Sequence, residues 1–309
     1  MHMMPPVGDR AIRLEQDMHD EVSIVLNSLE KGNIVYVPNR GNAGDSFIQH
    51  ATYQFFSRIG LAYEIGSQDG LYENRIIVCA GGGNLVSPYH NFVDFLNRNM
   101  GKWKRLIILP HTIRSYEDSL SWLGPDCHIF CRDYDSLAFV RRYAPSAKSS
   151  FAPDMAFACD LEQTTRQVKA QWARDLFDRT LLVRNTKRLL RTIGYGLKNP
   201  LPGNALNAFR TDIERTDMAL PESNIDLSQA FSADDMSPDA SLYATYWLKW
   251  FLDRFSVIRT NRLHIGIMSA MLGKQVYFYD NSYGKNRAVF LASIRDRFPN
   301  VHWQEAASC

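Results

Sequence analysis

Short runs of β-branched and apolar residues alternate with helix-length segments along most of the chain, and this alternation constrains the fold more than any other feature. The apolar runs predict strands at residues 33–37, 75–79, 106–109, 128–131, 148–151, 180–183, 255–259 and 275–279. The segments between them predict helices at residues 45–59, 133–143, 163–177, 240–254 and 262–272. A strand followed by a crossover helix and another strand is typical of parallel sheets. We therefore predict an α/β fold with two doubly wound, Rossmann-like parallel sheets.

The length of the chain predicts two domains. It has 309 residues, more than one hydrophobic core usually organises. A polar stretch between residues 160 and 173 follows the fifth predicted strand, so we divide the chain into an N-terminal domain, 1–165, and a C-terminal domain, 166–309. Residues 186–238 show no clear period, and we interpret them as loop-rich decoration over a cleft.

Composition excludes several classes of protein. The formal net charge is only +2, which does not favour a nucleic-acid partner. The N-terminus lacks the pattern of a signal peptide, and no run reaches the roughly 18 apolar residues of a membrane helix, so we expect a cytoplasmic protein. The five cysteines are expected to be reduced and structural. Cys127 and Cys131 have no second pair at zinc-site spacing, and we predict no metal.

Unusual clusters directly follow the predicted strands. Ligands bind at the carboxyl ends of the strands in open parallel sheets. Two such edges facing each other would form one cleft between the domains. The clusters occupy residues 41–45, 81–84, 110–114, 132–135, 184–185, 261–264 and 280–285.

Two of these clusters are rich in glycine. In Gly-Asn-Ala-Gly-Asp at 41–45, Asn42 and Asp45 either cap the following helix or hold a sugar or phosphate oxygen. In Gly-Gly-Gly-Asn at 81–84, the run before Asn84 indicates that another group approaches the backbone at Gly82 and Gly83 closely. The spacing fits neither a Walker loop nor a dinucleotide fingerprint, so no nucleotide cofactor is predicted.

The other first-half clusters have weaker signals. Asp133 and Asp135 resemble the Asp-x-Asp of metal-dependent sugar transferases, but they open a helix, where carboxylates complement the dipole, and we favour capping. Arg132 and His111 are candidate residues of the cleft, with His111 shaping an acceptor site.

The second half supplies an anion site. Arg184, Arg262 and Lys285 all follow predicted strands, and the planar fork of arginine suits carboxylate and phosphate. His264 begins a helix beside Arg262. A lone histidine is usually a core residue, but this position favours an acid–base role for His264.

The motifs together resemble those of the polysaccharide pyruvyl transferases. They occur in the family's order across about residues 33–285, as Gly-Asn-Ala-Gly-Asp at 41–45, Gly-Gly-Gly-Asn at 81–84, Arg-Asp with Ser136 at 132–136, Pro-Asp-Met-Ala-Phe at 153–157 and Arg-Leu-His at 262–264. The resemblance implies a GT-B-like fold, phosphoenolpyruvate as donor and a hexose acceptor, often lipid-linked. It also implies that Arg184 and Arg262 bind the donor, that His264 is the acid–base residue and that the first domain holds the sugar. No metal or redox cofactor is implied.

Two other functions remain open from the sequence. A GT-B glycosyltransferase would use the same basic residues to bind a nucleotide sugar. A non-catalytic saccharide-binding subunit of an assembly complex would bind sugar without turnover. The aromatic stretch at 243–251 leaves peripheral contact with the inner membrane open, although aromatic residues at helical spacing more often form core.

Overall fold

A computed structural model of the chain describes residues 19–175, 204–228, 230–233 and 235–305, with the single positions 183, 186, 190, 193 and 194. These residues divide into two compact units. The N-terminal unit is drawn from Met1–Asn39 and Ala51–Ala158, and the C-terminal unit from Arg40–His50 and Cys159–Cys309. Residues 40–50 therefore group with the second half of the chain, although the sequence suggested that they belong to the first domain.

The N-terminal unit contains a parallel sheet. Its order is β2-β1-β3-β5-β6-β7, and β4 pairs with the last part of β5. The strands are β1 (Ile34–Val37), β2 (Glu64–Ile65), β3 (Ile76–Cys79), β4 (Gly82–Leu85), β5 (Arg105–Ile113), β6 (Cys127–Cys131) and β7 (Lys148–Phe151). The helices are α1 (Asp20–Asn27), α2 (Ala43–Arg58), α3 (Asn91–Asn99), α4 (Glu117–Ser121) and α5 (Tyr134–Tyr143), of which α2 is divided between the two units.

The C-terminal unit contains a smaller parallel sheet. Its described strands have the order β11-β10-β9-β8 and are β8 (Ala205–Asn207), β9 (Val257–Thr260), β10 (Gln275–Phe278) and β11 (Val301–Trp303). Its described helices are α6 (Leu161–Asp175), α7 (Pro238–Leu252), α8 (Leu263–Met271) and α9 (Lys285–Val289), and a π-helical turn follows at Phe290–Ile294. The α/β class and the parallel sheets are confirmed, whereas two Rossmann-like domains in a GT-B arrangement stay a prediction.

Continuous apolar runs form the central strands of the first sheet because parallel strands are covered on both faces. All residues of β1, β3 and β6 are buried. Polar side chains begin the helices instead. Ser237 caps α7 by accepting from the amide N–H of Ala240 at 3.3 Å, and Pro238 occupies its first turn, where no N–H is needed.

Two predicted loops of the first unit are strands. The segment after Leu109, predicted as a loop because it contains Pro110, continues β5 as far as Ile113. The pairing of β5 with β6 shifts register between Ile108 and His111, and a strand tolerates a proline, which has no N–H, at such an irregularity. The glycine-rich segment after β3 forms β4 on the other side of this extension.

Two interpretations of the second half also change. Val183 has helical conformation, contrary to the strand predicted at 180–183, and the described positions between 186 and 194 are helical where a loop-rich segment was predicted. In the aromatic stretch of α7, Tyr243, Trp247 and Phe251 are buried, so these rings form core rather than a membrane-facing surface. None of the helices in the described part of the chain has the length and apolar character that crossing a bilayer requires.

Candidate active site

The turn between β9 and α8 is held by hydrogen bonds to a neighbouring segment. The hydroxyl of Thr260 donates to the carbonyl of Ala208 at 2.6 Å and accepts from the amide N–H of Arg262 at 3.0 Å. The side-chain oxygen of Asn261 accepts from the amide N–H of Arg210 at 2.8 Å. These bonds give the beginning of α8 a defined position.

Arg262 occupies the N-cap position of α8 and is almost completely buried. Its Nη2 lies 2.9 Å from a carboxylate oxygen of Asp212 and also donates to Asp226. Burial alone would raise the pKa of Asp226, but the hydrogen bond and charge of Arg262 lower it to about 2. The buried Nε of Arg262 finds no acceptor among the described residues. The guanidinium is thus fixed through Nη2 while Nε–H remains available to donate.

Arg262 belongs to a chain of alternating charges that we call the charged cluster, and Asp226 is the end of this chain. Asp212 also accepts from Nε of Arg210 at 2.8 Å, and Glu214 accepts from the far side of that guanidinium. Lys285 completes the series with its Nζ 2.6 Å from Glu214. In the described part of the chain, three cations therefore alternate with three carboxylates, in the order Asp226, Arg262, Asp212, Arg210, Glu214 and Lys285.

The three carboxylates and Arg210 are the residues that sequence reasoning missed. They lie within 186–238, which was interpreted as decoration. Arg210, Asp212 and Glu214 are charged residues at alternate positions, although residues 212–214 form a turn, in which Asp212 accepts from the amide N–H of Glu214 at 3.1 Å. This period of two was the available signal, whereas Asp226 had none.

The cluster at 41–45 closes the beginning of α2 as a capping box. The side-chain oxygen of Asn42 accepts from the amide N–H of Gly44 at 2.8 Å, and Asp45 accepts from the amide N–H of Asn42 at 2.8 Å. A Cβ at Gly41 would lie 1.9 Å from the Asp45 carboxylate, so only glycine fits there. The capping interpretation of Asn42 and Asp45 is confirmed.

His264 lies against this turn, within the C-terminal unit. It is half-buried in the first turn of α8. A Cβ built at Gly44 would be 2.4 Å from Nδ1 of its imidazole. The structure therefore brings the 41–45 motif beside the Arg-Leu-His motif, although the sequence had suggested that the two belong to different domains.

Arg132 takes a structural position in the N-terminal unit. Its side chain is fully buried, where Nη1 pairs with Asp154 at 2.5 Å and Nε donates to the hydroxyl of Thr112 at 2.8 Å. A buried charge is tolerated when it is paired in this way. The structure thus gives Arg132 a packing role in place of the cleft-lining position suggested by the sequence.

His111 is also enclosed. Its ring is buried and stacks on Phe92 with centroids 5.3 Å apart, while Nε2 lies 2.8 Å from the side-chain oxygen of Asn84. Burial and the charge of Arg132 lower the pKa of His111 to about 3, so the ring is neutral at physiological pH. The geometry supports a role in positioning Asn84.

Two of the three glycines at 81–83 have a local explanation. A Cβ at Gly81 would lie 2.7 Å from the carbonyl oxygen of Pro110 in β5, and Gly82 has a φ of 147°, which favours glycine. The close approach predicted from the sequence is therefore made by a neighbouring strand. Gly83 and Asn84 are partly accessible.

Asp133 caps α5, as the sequence indicated. Its side chain accepts from the amide N–H of Ser136 at 2.8 Å and pairs with Arg114 at 2.7 Å. No group of three or more His, Cys, Asp or Glu side chains in the described ranges is placed to hold a metal ion. Arg184, the remaining predicted donor-binding residue, lies outside the described residues.

A comparison with protein families decides the identity of the chain. The family model described as polysaccharide pyruvyl transferase matches residues 42–283, which is more than half of the chain. The chain belongs to the polysaccharide pyruvyl transferase family. It is therefore a transferase enzyme of bacterial polysaccharide biosynthesis.

Two relatives resemble this pyruvyl transferase over most of its length. A protein of Bacillus subtilis (strain 168), named "Putative pyruvyl transferase EpsO", is 27% identical over 304 residues that cover 90% of each chain. A crystal structure of an uncharacterized protein from Klebsiella pneumoniae subsp. pneumoniae NTUH-K2044 has a TM-score of 0.70 and 29% identity, and the alignment covers 93% of this chain and 98% of that one.

The family match includes most of the site in this pyruvyl transferase. It begins at Asn42, which caps α2, and ends at Tyr283. It therefore includes His264 and five of the six members of the charged cluster, Arg262 among them. Lys285 lies just beyond it. The motifs that carried the resemblance at 41–45 and 262–264 therefore meet in one place.

Proposed function

We propose that this enzyme transfers the pyruvyl group of phosphoenolpyruvate to two hydroxyls of a hexose and closes a cyclic ketal. The observation that carries the proposal is the contact between Gly44 of the 41–45 motif and His264 of the 262–264 motif. His264 lies two positions after Arg262, at the beginning of α8. The reaction requires a proton donor next to a binding site for an anionic donor substrate, and this place offers both.

Several features support an anion at the beginning of α8. Among the described residues, Arg262, at the N-cap position, makes no side-chain hydrogen bond to the helix, and the N–H groups of a first helical turn have no intrahelical acceptor and favour an anion. The buried Nε–H of Arg262 adds a charged donor. Asp212 and Asp226 hold the guanidinium in a fixed orientation, and such preorganised donors stabilise developing charge. We assign Arg262 to the carboxylate or phosphate of the donor, with Lys285 and Arg184 as further cations.

In the proposed mechanism, His264 donates a proton to the methylene carbon of phosphoenolpyruvate. The first hydroxyl attacks the adjacent carbon and loses its proton to the histidine, and phosphate leaves. The second hydroxyl then attacks the same carbon, and its proton passes to the phosphate, which is released as hydrogen phosphate. One C–H bond, two C–O bonds and one O–H bond form, while the C=C π bond, the C–O bond to phosphate and two hydroxyl O–H bonds break, so the reaction needs no oxidant or reductant.

The proposed acceptor is a hexose of a polysaccharide or lipid-linked repeat unit. Among the first-half candidates, Gly83 and Asn84 are accessible enough to contact a sugar, while Arg132 and His111 would act by supporting them. Phosphoenolpyruvate as donor implies a cytoplasmic enzyme, and a lipid-linked acceptor would bring it to the cytoplasmic face of the inner membrane.

The test combines binding with turnover. We expect phosphoenolpyruvate, but not UDP-sugars, to raise the Tm, because a ligand that binds only the folded state stabilises it. We also expect phosphate release from phosphoenolpyruvate with at least one member of a panel of free and lipid-linked hexose oligosaccharides. The product should carry the mass of a pyruvate ketal.

His264→Ala should lower kcat by about 10²- to 10⁴-fold, the range for loss of a general acid, and leave the Tm shift with phosphoenolpyruvate in place. His302→Ala, which changes an exposed histidine of β11, is the matched control and should keep the wild-type rate. Stabilisation by UDP-sugars alone would assign the enzyme to the glycosyltransferases. Full activity of folded His264→Ala would contradict the mechanism.

A further inference from the structure

The first turn of α2 leaves a space that the imidazole of His264 occupies. An ideal Cβ at Gly44 would lie 2.4 Å from Nδ1 and 3.0 Å from Cγ of His264. The first of these distances is far below van der Waals contact. Any side chain at position 44 would therefore compete with the imidazole for the same volume.

The backbone of α2 does not itself require glycine at position 44. Gly44 is the second residue of the helix and is not among the described glycines with positive φ. Alanine is the better helix former, because glycine loses more conformational freedom on folding. At Gly41, by contrast, the obstruction comes from Asp45 of the same turn. At position 44 the imidazole of His264 is the nearest obstruction, and the side-chain oxygen of Asn42, 3.1 Å from such a Cβ, is the next.

The turn that carries Gly44 is anchored on several sides. Besides the capping box, the amide N–H of Ala43 donates to the carbonyl of Ser228 at 2.8 Å, and the hydroxyl of Ser46 accepts from the amide N–H of Ala233 at 2.9 Å. The backbone of His264 is part of α8. The closest overlap with a Cβ at position 44 would therefore fall on the side chain of His264.

We propose that Gly44 is a positioning residue, which allows the ring of His264 to take the orientation needed for proton transfer because the ring fills the space that a side chain at position 44 would occupy. This inference rests on the proposed role of His264. It assigns the glycine of the 41–45 motif to the orientation of the imidazole, rather than to phosphate binding or to the turn of the backbone.

Gly44→Ala tests the proposal because it separates stability from catalysis. The Tm should stay unchanged or rise, while kcat for phosphate release with the saccharide panel should fall by roughly 10- to 100-fold, as expected for misplacement of a reacting group by about 1 Å. KM for phosphoenolpyruvate should stay within about twofold, since Arg262 is untouched. Ser57→Ala, at an exposed position of α2, is the control and should keep the wild-type kcat.

Two further measurements show whether the effect passes through His264. In a His264→Ala background, Gly44→Ala should cause no additional loss, because the ring it displaces is absent. The ring ¹H and ¹⁵N signals that disappear in His264→Ala should shift in Gly44→Ala and remain in place in Ser57→Ala. Wild-type kcat in Gly44→Ala, an equal loss in the His264→Ala background, or unshifted ring signals would each overturn the inference. Wild-type kcat in His264→Ala would overturn the proposed mechanism instead. In that case, the ring signals in Gly44→Ala would still show whether position 44 contacts the imidazole of His264.

Discussion

Arg132 and Arg262 occupy corresponding places in the two units and are used differently. Arg132 directly follows the buried strand β6, and Arg262 follows β9 after one residue, Asn261. Each precedes a helix and is buried against a carboxylate. In the N-terminal unit, α5 is capped by the neighbouring Asp133, and the guanidinium of Arg132 is bound on both sides. In the described part of the C-terminal unit, no side chain caps α8, and Nε–H of Arg262 has no acceptor.

This difference indicates that the role of each arginine depends on whether another side chain caps the helix that follows it. Where another residue caps the helix and the guanidinium is satisfied internally, the ion pair contributes packing and order. Where the helix start is open and one donor remains, the same residue type is available to an anion. The two sites can be distinguished by experiment. Substitution of Arg132 should lower the stability of the fold, and substitution of Arg262 should lower the affinity for the anionic substrate.

The largest expected effect is on the pair in the N-terminal unit. Arg132→Ala should lower the free energy of unfolding by about 3–5 kcal/mol, because it leaves the carboxylate of Asp154 buried without its partner. Denaturant unfolding measures this loss. Replacing both partners, as Arg132→Met with Asp154→Leu, should recover part of the stability. A loss below about 1 kcal/mol in the single variant would contradict a structural role for the pair.

A smaller, pH-dependent effect is expected at Asp226. Its pKa is lowered from an ordinary value of 3.8 to about 2, so ionisation of the folded protein is favoured. The resulting stability, about 2 kcal/mol, is complete above the ordinary pKa and is lost as the pH falls through about 4 towards 2. The difference in unfolding free energy between wild type and Asp226→Asn should shrink over that window. A difference that did not change with pH would contradict the proposed pairing with Arg262.

The smallest expected effect gives the sharpest comparison, because one substitution is made at both sites. Arg262→Lys keeps the charge but loses the fork, and should weaken phosphoenolpyruvate binding about tenfold, or about 1.4 kcal/mol. Arg132→Lys should leave the affinity of the folded protein unchanged. Isothermal titration measures both. Equal losses of affinity in the two variants would remove the distinction between the sites.

The sequence predicted most elements whose local signal agreed with their final environment. β1, β3 and β6 were found from apolar or β-branched runs, and α5 from its capping aspartate. β4 and the end of β5 were missed because glycine and proline are poor strand formers, and only pairing between the two segments makes them strands. Two of the six members of the charged cluster were predicted, since Arg262 and Lys285 stood next to recognisable motifs while Arg210 and the three carboxylates did not.

By itself, the sequence determined the α/β class, the parallel sheets and the family, and it identified the motifs at 41–45 and 262–264. These features depend on the order and spacing of residues along the chain. Only the tertiary structure decided that the two motifs meet, that Arg132 is enclosed and that Gly44 faces His264. Those facts depend on contacts between distant segments, and Gly44 and His264 are more than 200 positions apart. No local sequence pattern shows which distant side chain will occupy the space beside a glycine.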